Sequence, residues 1–145
     1  MSQALLSYGI TSYISEGVLI LPFQSDFYKE VIDALQTDIL SKLRNNTEIR
    51  GLIVDVSNIT IIDLFDMKLL EETLKMAEML GATAYLTGLQ PQVTLALVDL
   101  GYDPVDLRTE LTIEKAMSRI NQVLSESLPD DSQVITDDEI VENDN

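Results

Sequence analysis

Asp55, Asp63 and Asp66 are the residues of this chain best placed by type and spacing to do chemistry. Carboxylates grouped within a dozen positions can hold Mg²⁺ or act as acid and base. The groups that normally complete such a site are missing. The chain has no cysteine and no histidine, which removes thiolate nucleophiles, Cys-based zinc sites and every His-based triad. It has no G-x-x-x-x-G-K-[ST] and no G-x-G-x-x-G stretch to cradle a phosphate. No nucleophile, base or cationic clamp accompanies the aspartates. A simpler role for Asp66 is therefore expected, as the cap of a helix starting beside it. The catalytic, cofactor and metal sets are accordingly expected to be empty.

The elements that position these aspartates follow from periodicity. Residues 51–56, Gly-Leu-Ile-Val-Asp-Val, are nearly all apolar, which suits a strand buried on both faces. Residues 67–82 predict a helix with Leu70, Leu74 and Ala77 on one face, Met67 and Leu80 beside them, and Gly81 just past its end. The segment 57–66 is thus a strand-to-helix turn, with Leu64 and Phe65 between two aspartates.

The rest of the chain repeats the alternation. Residues 8–14 and 17–22 predict two strands joined by a tight turn, the second ended by Pro22. Residues 25–46 predict a helix capped by Ser25, with Ile32, Leu35, Ile39 and Leu43 as its stripe and Lys42 and Arg44 in its last turn. Residues 83–88 predict a further buried strand. A short helix is expected within 90–102, with Pro91 in its first turn and Gly101 at its end. Residues 103–109 hold at most a short strand. Thr112 caps a last helix to 126, whose stripe is Ile113, Ala116, Ile120 and Leu124. Strand and helix in alternation predict an α/β fold: a mostly parallel central sheet, an N-terminal antiparallel edge strand and about four helices.

The 145 residues make one domain, expected over 1–126, followed by an acidic tail over 127–145. The net charge is −16, and the last twenty residues carry eight acidic and no basic side chains. Such a surface repels phosphate backbones and anionic membranes, so neither nucleic acid nor membrane is an expected partner. With no secretory leader and no long apolar run, the chain is expected in the cytoplasm. Two readings of the tail stand side by side. It is a solvated segment, or its apolar pairs Val134-Ile135 and Ile140-Val141 dock on a groove or a neighbouring subunit.

Residues 51–103 resemble a STAS domain, the fold of anti-sigma-factor antagonists. Gly81-Ala82, the strand with Tyr85-Leu86-Thr87, the turn Gly88-Leu89-Gln90-Pro91 and the ending Leu100-Gly101 resemble the stressosome scaffold branch. Lacking room for a sensory N-terminal domain, the chain looks like that branch's single-domain S-type member. The resemblance implies a non-enzymatic scaffold without cofactor. It would co-assemble with paralogous STAS scaffolds as a homo- or hetero-oligomer and sequester a switch serine/threonine kinase. Two alternatives stay open: a stand-alone antagonist of an anti-sigma kinase, and a module that binds a small ligand or nucleotide.

The same resemblance gives the 63–66 turn a meaning. The family places an Asp-Ser or Asp-Thr pair there, and a partner kinase phosphorylates the hydroxyl. Asp63 matches the aspartate; Leu64 occupies the hydroxyl position and accepts no phosphate. Three explanations follow. The chain is a scaffold that does not switch at this position; or the acceptor has moved to Ser57, Thr60 or Thr73; or Asp66 supplies permanent negative charge. The family's second modifiable position falls on Ala96, with Thr94 two residues away. Asp63, Leu64, Phe65 and Asp66 are the expected switch or partner surface, although Leu64 and Phe65 suit plain core packing equally well.

Overall fold

A computed structural model describes residues 10–24, 29–103 and 107–127. Five strands form one sheet in the order β1-β2-β3-β4-β5. They are β1 (Tyr13–Ser15), β2 (Val18–Pro22), β3 (Gly51–Asp55), β4 (Thr83–Thr87) and β5 (Thr109–Glu110). β1 pairs antiparallel with β2, and every later pairing is parallel. Glu16 and Gly17 both take positive φ in the β1–β2 turn, the geometry that lets a two-residue connection follow the strand twist. Among the described residues, the expected first strand is paired with β2 over 13–15, and its residues 8 and 9 lie outside the described residues. Ile10 packs into the core without entering the ladder.

Among the described residues, four helices connect and cover the sheet: α1 (Lys29–Asn45), α2 (Leu64–Met79), α3 (Pro91–Asp99) and α4 (Ile113–Ser127). Alternation along the strands divides the core in two. Leu19, Leu21, Leu52, Val54, Ala84 and Leu86 point to one face, where Leu35 and Ile39 of α1, Leu70 and Leu74 of α2, and Val93 and Leu97 of α3 cover them. Val18, Ile20 and Ile53 point to the other face and meet Ala116 and Ile120 of α4. Burial on both faces is why 51–55 reads as an unbroken apolar run.

Helix ends follow the local chemistry. Thr112 Oγ1 accepts from Lys115 N at 3.2 Å, as expected of the α4 cap. Gly81 and Gly101 follow α2 and α3 with φ of +98° and +88°. Leu80, expected on the buried face of α2, is instead half exposed, because the helix ends one residue before it. The expected cap at Ser25 and the acidic tail from 128 onward lie outside the described residues.

Candidate functional site

The parallel strands deliver the ends of β3 and β4 and the start of α2 to one edge of the sheet. Asp55, last residue of β3, is buried and accepts three hydrogen bonds. Thr87 Oγ1 donates to its Oδ1 at 2.7 Å. Ser57 Oγ donates to its Oδ2 at 2.6 Å, and Ser57 N to the same oxygen at 3.4 Å. Hydrogen bonds to an ionised carboxylate are among the stronger ones in proteins, and here they tie the exits of two strands 32 residues apart.

Gly88 closes over this group. Its φ is +77°, and a Cβ there would lie 2.7 Å from Ser57 Cβ and 2.9 Å from Asp55 Oδ1. Backbone conformation and space both demand glycine. Gln90 Nε2 then donates to Ser57 O at 2.6 Å, which fixes the approach to α3.

The 63–66 turn is a capped helix start. Asp63 has extended backbone, and its Oδ1 accepts from Asp66 N at 2.7 Å. This corrects the expectation that Asp66 caps: the helix begins three residues earlier, Asp63 is the cap, and Asp66 stands in the first turn. The pattern D-x-x-D carries the signal, since an acid three residues after a cap belongs to the same end motif. Partial burial raises the Asp66 pKa above the usual aspartate value; the charge of Asp63, the hydrogen bond to it and the charge of Glu30 raise it further.

Leu64 and Phe65 part company. Leu64, first residue of α2, is half-buried and packs against the main core. Phe65 is 55% exposed, beside Ile61 at 76%. The proposed substitute acceptors also differ. Ser57 and Thr60 are exposed residues, but the Ser57 hydroxyl is committed to Asp55. Thr73 is fully buried, its hydroxyl donating to Leu69 O and accepting from Gln36 Nε2. Thr94 is half-buried and donates to Gln90 O at 3.2 Å, and Ala96 is exposed on α3.

The three aspartates are not one site. Asp63 and Asp66 share the helix start, whereas Asp55 is engaged below Gly88. Among the described residues, no group of three or more His, Cys, Asp or Glu side chains converges to hold a metal. Sequence reasoning grouped Asp55 with Asp63 and Asp66 as carboxylates that could do chemistry, and missed its network with Ser57 and Thr87. The isolated acid ending an apolar strand was the available signal, because a buried carboxylate demands donors.

A mixed sheet with one antiparallel edge, helices on both faces, and a capped loop-to-helix corner define an α/β module. The chain belongs to the STAS domain family, whose model matches residues 10–116. The RsbT co-antagonist protein RsbRD of Bacillus subtilis is 22% identical over 105 residues, 72% of this chain. The chain spans 37% of that relative's length. A substituted RsbS of Moorella thermoacetica superposes with a TM-score of 0.69 at 21% identity, over 80% of this chain and 97% of the other. A chain from the molecular architecture of the stressosome gives 0.64 at 20% identity, over 79% and 98%. The structural likenesses show a shared fold. None of the described helices is long and apolar enough to cross a membrane.

Proposed function

We propose that this chain is a scaffold of a stressosome-type complex that co-assembles with paralogous STAS proteins and holds a switch serine/threonine kinase. It acts by binding, with any phosphoryl transfer carried out by its partners. The observation that carries this reading is Leu64. It occupies the first position of a helix whose cap, Asp63, is formed, and it is anchored in the core where the family carries a phosphorylatable hydroxyl. On this reading the corner stands at the family's switch position, and leucine there accepts no phosphate. Phe65 and Ile61 beside it offer exposed apolar area to a partner, and Asp63 and Asp66 supply the negative rim.

A phosphate at position 64 would add a charge of about −1.5 to −2 at the positive end of α2, where the helix dipole favours it. The test is the Leu64→Ser variant incubated with ATP and a switch kinase of the stressosome type. Near-stoichiometric phosphate on Ser introduced at that site, with none on the parent chain, is the expected result. An unmodified variant would mean that the turn has been assigned to the wrong position. Phosphate on Ser57 or Thr60 of the parent would show that the acceptor has moved. Assembly is tested by light scattering with a two-domain STAS scaffold: a very large particle is expected, and a small one-to-one complex with a kinase alone would favour a stand-alone antagonist.

A further inference from the structure

At the opposite edge of the sheet, where the parallel strands begin, α1 and α2 end side by side and leave an open groove of about 580 Å³. Thr37, Leu40 and Arg44 of α1 line it together with Met76, Met79 and Leu80 from the end of α2. Met79 is 85% exposed, and Leu80, expected beside the buried face of α2, is half exposed. Methionines on an exposed concave surface adapt to varied apolar occupants.

Three observations indicate what covers this groove. The first is charge. Lys42, Lys75, Arg108 and Arg119 are held in ion pairs with acids of the domain. Among the described residues Arg44, like Arg50, Lys68 and Lys115, is in no ion pair, and of these it is the one that lines the apolar groove. The segment 128–145 carries carboxylates and no basic residue, and Ile140-Val141 is flanked by Asp138, Glu139 and Glu142.

The second is position. α4 runs back toward the start of the strands: Ile120 meets the space at Gly51, and Asn121 Nδ2 donates to Glu16 Oε2 at 3.5 Å. The acidic segment therefore leaves the domain at the same edge as the groove, behind the opposite face of the sheet.

The third is length. Thirteen residues separate Ser127 from Ile140, a reach of about 43–47 Å when extended. Crossing from one helix layer to the other requires on the order of 20 Å. Val134-Ile135, seven residues out, reaches about 23–25 Å and leaves no slack. Attachment to the same chain through so few residues gives an effective concentration on the order of millimolar, enough to populate a weak apolar contact.

We propose that Ile140-Val141 of this chain's own acidic C-terminal segment occupies the α1–α2 groove, against Met76 and Met79, with the flanking carboxylates on Arg44. The contact is intramolecular. It covers a surface at the far edge from the Asp63–Asp66 corner and does not depend on the function assigned to that corner. Because α1 and α2 pack on each other, their groove is one that a partner must share with the segment.

The test is methyl NMR on the full chain carrying labelled methionine. Replacing Ile140→Ser together with Val141→Ser should shift the Met76 and Met79 signals and leave Met67 and Met117 in place. In an Arg44→Glu background the same pair of substitutions should produce a markedly smaller shift, since the anchoring charge is gone. Raising the salt toward 1 M should move the parent spectrum toward that of the doubly substituted chain. Identical Met76 and Met79 signals with and without Ile140 and Val141 would overturn the proposal. A shift that grows with protein concentration would also overturn it, by assigning the segment to a second copy.

Discussion

The two edges of the parallel sheet are built on opposite plans. Where β3 and β4 end, polar side chains are short, buried or capped, and each finds its partner within the corner: Asp55 with Ser57 and Thr87, Asp63 with the start of α2. Where the strands begin, α1 and α2 leave methionines and an arginine open beside a groove. The first edge fixes a geometry. The second tolerates many shapes. One fold thus holds a stiff corner and an adaptable one, and the difference lies in whether polar groups can satisfy each other locally.

Two glycines give the strongest test of that contrast. Gly88 and Gly81 both have positive φ, so alanine at either costs about 1–2 kcal/mol of backbone strain. At Gly81, beside the open groove, an added Cβ meets nothing within 4 Å. At Gly88 it overlaps Ser57 and Asp55, which adds about 1–3 kcal/mol. Urea unfolding should place Gly88→Ala well below Gly81→Ala in midpoint. Equal losses would show that the corner is no tighter than the groove.

A smaller effect is expected at Tyr102, whose hydroxyl donates to Glu71 Oε2 at 2.6 Å and holds the segment after α3 on α2. That hydrogen bond lowers the Glu71 pKa below its ordinary value, with Lys75 assisting against partial burial. A depressed carboxylate pKa contributes stability above the unfolded value, near 4.5, which is lost as pH falls through the folded one. Tyr102→Phe should cost about 1 kcal/mol at pH 7. The difference between parent and variant should narrow below pH 4.5. A pH-independent difference would mean that ring packing, and not the charge-assisted bond, holds the segment.

Asp66 carries the smallest effect and the opposite sign. Its raised pKa means that the folded chain disfavours the ionised form, so its contribution improves as pH falls through the folded value. Asp66→Asn should leave stability unchanged or raise it by no more than about 0.5 kcal/mol at neutral pH, with the gain vanishing once the aspartate is protonated. A clear loss in thermal melting would mean that Asp66 serves the α2 dipole more than it suffers from Asp63, and the corner would be less strained electrostatically than its charges suggest.

The outline of the fold was legible because it is written in short-range periodicity. Ile32, Leu35, Ile39 and Leu43 form a buried stripe on α1 as spaced, and residues 51–55 and 83–87 are the strands their composition indicates. The start of α2 was misplaced by three residues. Leu64 and Phe65 look like loop residues until the bond from Asp66 N to Asp63 shows them to be the first turn. The proposed acceptors needed the structure even more. Thr73 stands in an ordinary helical sequence, and only the packing of α1 on α2 buries it.

Taken alone, the sequence determined the alternation of strands and helices, the lack of histidine and cysteine chemistry, and a leucine, with no hydroxyl, at position 64, since each is a property of residue types and of spacings of a few positions. Tertiary structure decided which side chains share the corner. Asp55 and Thr87 meet across 32 residues, and Glu71 and Tyr102 across 31, only because parallel strands and their crossover helices bring distant segments into register. Local propensity carries no information about partners at that separation; the burial of a shared core does.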